Sequence, residues 1–419
     1  MQPIPVRFQH KDRCSYRISG GSLHMLVRPI TKEERLQSAQ LFAIAFESPF
    51  DPNDLTPFAE NPCIWAAFDE KSGEMMSTVY VTDYRVQFDG GRYKMGGIGG
   101  VASLPQYRRA GGIRACFQKA LPILYREGYV FSYLYPFSTA YYRKFGYESC
   151  VQRYLAVLDL RQLRPAEFSG SFRLARGGDM LLPAIRQLDE RWEAQYNMMV
   201  QHAEADYRWL LSAAPASKQE FIYAAFSAAG EPLGYAAFKK QDEPDGRNLV
   251  CSRLRFSGKD GFAALMHLFS RFASDHRFVK FPLPCCTAMQ YLLPEWSLGA
   301  VRWELQSAGM VRVVNAEAAL RAARYLGSGS ATLRLHDAQI EENNACFAVQ
   351  FENGRAISVS RSDTQPDAES EISTFSALLC GVCDFSEARQ YFPGLEVFHE
   401  SAPLDRVFFR KPLYIEDYF

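Results

Sequence analysis

The chain has 419 residues, with 47 basic and 47 acidic side chains, so its formal charge is zero. That balance gives no general pull toward nucleic acid or an anionic membrane, and any charged recognition must be local. With 47% hydrophobic residues, a chain of this length is expected to fold as roughly two to four domains, each with its own core. No run of about 18 apolar residues offers a membrane span.

Residues 1–24 have no apolar secretory core and read as an arm or leader ahead of the first strand. "MLVRPITKEERLQSAQLF" is a strand entering a helix, and Thr31 with Glu34 forms a Thr-x-x-Glu capping box that sets the helix start near Lys32. Next, "CIWAAFDEKSGEMMSTVYVTDYRVQFDGGRYKMGGIGGVASL" predicts three strands joined by glycine turns. A helix over about 111–127 follows, then the strand "YVFSYLY", a short helix over about 138–145 and the strand "RYLAVLDL". This order predicts a mixed α/β unit with a largely antiparallel sheet and one crossover helix.

The plan then repeats. "IYAAFSAAGEPLGYAAF" echoes "IWAAFDEKSGEMMSTVYV", and strand, glycine turn, helix and strand follow it again. From about Met310 the pattern changes to "ATLRLHD", "ACFAVQFENG" and "AISVSRS", alternating strands with an Asn353-Gly354 turn, and then short helices. Ten scattered cysteines, often inside apolar runs, read as buried free thiols. The one CxxC, at Cys380 and Cys383, lacks a second pair, and the histidines form no HExxH pattern, so no metal site is expected.

One junction stands apart. "SLPQYRRAGGIRACF" places Arg108, Arg109 and Arg114 around a Gly-Gly pair between a strand and a helix. A helix start exposes unpaired N–H groups and partial positive charge, glycine lets backbone approach a ligand, and arginine binds phosphate oxygens in pairs. Neither a Walker loop nor a dinucleotide fingerprint is present there. The second copy has "SGKDGFAAL" instead, with fewer arginines and an added Asp260, which predicts a structural duplicate without the anion.

Arg108-x-x-Gly111-x-Ile113 after "GVASLPQY" resembles the pyrophosphate loop of the GNAT acyltransferase superfamily, although that motif usually ends in Gly or Ala rather than Ile. Together with "YYRKFGYE", the degenerate second copy, a small third domain and an aromatic end, the chain resembles the Eis family of N-acetyltransferases. The resemblance implies tandem GNAT-like domains followed by a sterol-carrier-protein-like α+β domain. The boundaries read as 25–153 for the catalytic domain, 154–305 for the second and 306–419 for the third. It implies acetyl-CoA as co-substrate, with Val101, Ala102 and Ser103 along the pantetheine arm. Arg109, Ala110, Gly111, Gly112, Ile113 and Arg114 would hold the pyrophosphate beside Arg108, and Phe137 and Ser138 would flank the thioester. It further implies a homo-oligomer, a hexamer, while the neutral charge and the lack of a secretory core or membrane span make a cytoplasmic protein with no nucleic-acid or membrane partner the default expectation.

Acetyl transfer to an amine needs an oxyanion donor, for which a backbone N–H at the bent "GGIGG" strand, that of Val101, is suited, and an acid for the leaving thiolate. Tyr141, Tyr142 and Tyr147 are all candidates for the acid, and the resemblance selects Tyr142. It also supplies a base, the terminal carboxylate of Phe419. Glu416 and Asp417 beside it are expected to be exposed and to attract a cationic amine, an aminoglycoside, a lysine side chain or a polyamine-like acceptor. Cys116 is a weaker option as an acyl-enzyme nucleophile. A second reading stands beside the enzyme: a non-catalytic binding or scaffold protein built on a degenerate acyltransferase fold.

Overall fold

The computed structural model describes residues 16–19, 24–53, 62–165, 167–178, 180–211, 220–293, 301–399 and 402–417. The first sheet is built mainly by seven strands: β1 (Tyr16–Ser19), β2 (His24–Pro29), β3 (Pro62–Asp69), β4 (Met75–Phe88), β5 (Gly91–Ser103), β6 (Phe131–Leu134) and β7 (Glu148–Ser149). The arm thus contributes an edge strand, β1, to this sheet. Neighbouring strands run antiparallel except β5 and β6, which the helix Gly112–Arg126 connects as a parallel crossover. Its buried Ala115, Cys116, Phe117, Ala120, Leu121 and Leu124 form the apolar stripe that seats it on the sheet. The first helix begins at Arg35, later than the capping box suggests. Glu34 does accept the Thr31 N–H at 2.8 Å, but its carboxylate also grips Arg28 at two oxygens, 2.7 Å each, which holds residues 31–34 as a turn.

Two sheet assignments depart from chain order. The strand Met310–Val313, read from the sequence as the opening of the third unit, lies between β6 and β7 in the first sheet. "RYLAVLDL" lies, but for its last residue, in Gln152–Asp159, a strand of the second sheet. That seven-stranded sheet repeats the first plan, with Gly246–Phe256 and Phe278–Pro284 parallel and joined by the helix Gly258–Ser270. The third sheet has five strands, and the helix Ile372–Cys380 packs between it and the first sheet. That helix is buried nearly all round, every residue but Ser373, as its position between two sheets requires. Ser376 accepts the Val313 N–H at 2.8 Å and ties the two units further. No helix among the described residues is long and apolar enough to cross a membrane.

Candidate active site

The site grows from an irregularity in β5. Its register with β4 slips between Thr78 and Tyr80, where β5 carries one extra residue, a bulge at Gly100 and Val101. Gly100 has φ +51°, and a Cβ there would stand 2.5 Å from the Tyr80 ring, so the bulge needs glycine. The Thr78 hydroxyl donates to Gly100 O at 2.9 Å and fixes the bend. On the other side, β6 pairs with β5 only from Met95–Phe131 to Ile98–Leu134. Beyond that point the strands part, and Gly99, Gly100, Val101, Ala102 and Ser103 have no strand on their β6 side among the described residues.

The loop 104–111 leaves this edge through a short turn at Pro105–Tyr107, which the Tyr107 hydroxyl anchors on Glu74 at 2.7 Å. Arg109 and Gly111 both adopt left-handed backbone, with φ +68° and +90°. The first helical hydrogen bond runs from the Ala115 N–H to Gly111 O at 3.0 Å. The N–H groups of Gly112, Ile113 and Arg114 therefore find no backbone acceptor among the described residues. Arg108, Arg109 and Arg114 are exposed, and none of them pairs with an acid among the described residues. Gly112 is buried, and a Cβ on it would meet Ser77 Oγ at 2.5 Å. Open N–H donors and three uncommitted guanidinium groups thus converge at one helix start, an arrangement that fits a pyrophosphate.

Val101, Ala110 and Ile113 pack against the apolar cluster that contains Tyr142, so loop, bulge and tyrosine share one edge. Ser138 caps the short helix Thr139–Arg143 by accepting the Tyr141 N–H at 3.3 Å. Tyr142 is 3% exposed, with its ring edge-on to Phe137 and Tyr141 at 5.3 Å each. Its hydroxyl has no hydrogen-bond partner among the described residues, and burial pushes the phenol well up, keeping it protonated. Tyr147 differs: its hydroxyl meets Ser132 Oγ at 2.7 Å, Ser132 donates to Gly96 O, and burial lifts its pKa to about 12. Tyr147 is a core residue. Tyr141 is half-buried, raised by burial and drawn back by Arg114. Phe137 is 73% exposed at the mouth of a cavity of about 380 Å³ lined by Tyr135, Ser138, Thr139 and Ser307. Cys116 is wholly buried and burial pushes its thiol up, which removes it as a nucleophile.

Phe419 lies outside the described residues, and the tail is described through Asp417. Glu416 and Asp417 are not the exposed carboxylates expected from the sequence. Glu416 is buried and held by both Arg255 terminal nitrogens, with Arg253 at 3.4 Å. Asp417 pairs with His202 at 3.1 Å and Arg253 at 3.3 Å. Asp189 completes the cluster, 3.1 Å from Arg255 and accepting from the Tyr235 hydroxyl at 2.7 Å. Burial and the charges of Asp417 and Asp206 push Tyr84, on β4, up to about 12, so Asp417 lies near the first sheet. Sequence reading missed Arg253 and Arg255. Their only signal is "SRLRF", two arginines on one face of a strand amid apolar neighbours.

The second copy shows what a filled site looks like. Ser257 alone separates its strand from its helix, where the first domain has residues 104–111. Trp192 donates its indole N–H to Phe256 O at 3.0 Å and covers the strand end. Asp260 sits in the first helical turn, where an anion would be repelled.

Residues 26–150 match the acetyltransferase (GNAT) domain family, and residues 316–409 match the sterol carrier protein domain family. No curated protein matches the chain. Among solved structures, a probable N-acyltransferase from Enterococcus faecalis superposes with a TM-score of 0.83 at 20% identity, covering 94% of this chain and 99% of the other. A GCN5-related N-acetyltransferase from Anabaena variabilis gives 0.81 at 19% identity, with 94% and 100% covered. Eis1 from Mycobacterium abscessus gives 0.74 at 16% identity, again with 94% and 100% covered. Residues 26–150 are therefore a GNAT acetyltransferase domain and residues 316–409 a sterol carrier protein domain, and the chain as a whole takes the three-part fold that it shares with these structures.

Proposed function

We propose that this protein transfers an acetyl group from acetyl-CoA directly to a cationic amine bound in the same complex. The observation that carries the reading is the shared edge where β5 and β6 part, with an open helix start at one end and, at the other, a Tyr142 hydroxyl that has no hydrogen-bond partner among the described residues. Acetyl-CoA supplies an activated thioester carbonyl. Val101, Ala102 and Ser103 are assigned to the pantetheine arm. Arg108, Arg109, Ala110, Gly111, Gly112, Ile113 and Arg114 are assigned to the pyrophosphate, and Phe137 and Ser138 to the thioester end. The Val101 N–H, on the bulge, is assigned to the oxyanion that forms when the amine attacks. Tyr142 then gives its proton to the departing thiolate. The amine proton passes to the carboxylate of Phe419, whose approach is supported by the clasp on Glu416 and Asp417.

The acceptor class (aminoglycoside, lysine side chain or polyamine-like amine) and a homo-hexamer rest on the Eis resemblance. Thiol release from acetyl-CoA with an aminoglycoside acceptor, measured for the native chain and for Tyr142→Phe, tests the reading. Turnover should fall by about 10²-fold in the variant with little change in acetyl-CoA affinity. Tight acetyl-CoA binding without any thiol release across a panel of amines would instead identify a binding protein on a degenerate fold.

A further inference from the structure

The short helix that carries Tyr142 is tied to the third domain, directly and through a strand of its own sheet. Its carboxyl end leaves carbonyls without helical partners. Gln339 Nε2 donates to Lys144 O at 3.3 Å, and Arg312 Nη1 donates to Phe145 O at 2.6 Å. Arg312 Nη2 in turn meets both oxygens of Asp337, at 2.7 and 2.6 Å, and both side chains are 0% exposed. Asp337 is itself fixed by the N–H groups of Gln339 and Ile340 and by the Asn343 amide. Gly146 makes room for the guanidinium: a Cβ there would fall 1.6 Å from Arg312 Nη1. The link to the tyrosine is short. The Phe145 N–H donates to Tyr142 O at 2.9 Å, and the Phe145 ring stacks at 4.3 Å on Phe117, against which Tyr142 rests edge-on. Ile340 is fully buried in the same cluster.

We propose that the loop 337–343 of the sterol carrier protein domain, acting through the Asp337–Arg312 pair and Gln339, positions the Tyr142 hydroxyl for proton transfer. The third domain is on this view a working part of the acetyltransferase, and Asp337, Arg312 and Gln339 are positioning residues. The proposal rests on the reading of Tyr142 as the proton donor. An ion pair this completely buried is weak evidence for stability as such, because desolvation offsets much of the attraction. Its attachment to the carbonyl one turn beyond Tyr142 gives it a geometric role.

The test is a double-mutant cycle of Asp337→Asn and Tyr142→Phe in the full chain, read in single turnovers so that chemistry is observed. Asp337→Asn should lower the rate by about tenfold with acetyl-CoA KM changed less than about twofold, and should have no further effect in the Tyr142→Phe background. The alkaline limb of its pH–rate profile should also move, which a purely structural role would not cause. An equal loss in both backgrounds, or no loss in either, overturns the proposal while leaving the proton-donor reading intact. If Tyr142→Phe itself keeps full rate, the proton-donor reading fails and the proposal with it. Gln339→Ala, which removes only the exposed Lys144 contact, serves if Asp337→Asn does not fold. Its expected loss is about two- to threefold, again confined to the Tyr142 background, and an equal or absent loss in the two backgrounds is equally fatal.

Discussion

Replacing Glu416 by Gln removes one negative charge from a buried cluster and keeps the side chain's shape. Glu416 faces Arg255 at both oxygens, Arg253 at 3.4 Å and the Tyr414 hydroxyl at 3.1 Å. The Arg255 and Glu416 side chains are only 2% and 3% exposed, so water cannot compensate for the loss. Removing one partner of a buried pair typically costs about 3–5 kcal/mol. Arg255 keeps Asp189 at 3.1 Å, and glutamine retains one acceptor oxygen, so the lower end, about 3 kcal/mol, is expected. That is a large share of a typical total of about 5–15 kcal/mol. Urea unfolding followed by tryptophan fluorescence measures it, and Trp192, with its ring 4.6 Å from the Arg255 guanidinium, reports on the cluster itself. Carboxypeptidase digestion of the native protein gives a second reading, because a released tail is trimmed faster. Arg255→Met should be worse than Glu416→Gln, since it strands both Asp189 and Glu416. Stability within about 1 kcal/mol of the native value together with unchanged trimming would refute the reasoning, since the charges would then not hold the tail.

His202 makes a pH prediction. Burial opposes its charge, but pairing with Asp206 and Asp417 outweighs this and raises its pKa to about 9, despite Arg253 nearby. Its stabilisation is therefore complete below the unfolded value of about 6.5 and vanishes as pH rises through about 9, a decline of about 3 kcal/mol at most. Unfolding curves across that window should show the decline in the native chain and not in His202→Gln. Arg109→Ala should weaken acetyl-CoA binding by about 1.5–3 kcal/mol in calorimetric titration, with Lys259→Ala unchanged. Arg109→Gly should lose the same affinity yet gain up to about 1 kcal/mol of stability, because it relieves the left-handed backbone at φ +68°. Extending the chain beyond Phe419 should leave folding and acetyl-CoA binding intact and lower acetyl transfer by at least about 10²-fold, with recovery after cleavage back to Phe419. Full activity of the extended chain would move the base elsewhere.

What the sequence determined by itself is what local rules govern. The helix Gly112–Arg126 is announced by its glycine-rich start and apolar stripe, and the three hairpin strands by alternation and glycine turns. The cationic loop was legible for the same reason, since strand, arginines, glycines and helix are contiguous. Tertiary structure decided everything that depends on a distant partner. "MVRV" alternates like any strand, and nothing in it says that Met310–Val313 lies beside β6, whose residues come far earlier in the chain. Tyr142 and Tyr147 look alike in "YYRKFGYE", yet only the packed core gives Tyr147 a serine partner and leaves the Tyr142 hydroxyl without one among the described residues. Glu416 reads as an exposed acid near the end of the chain, because a carboxylate has the same letter whether water or a buried guanidinium surrounds it. Arg255, which decides the matter, lies on a strand of another domain, and only the folded chain brings the two charges together.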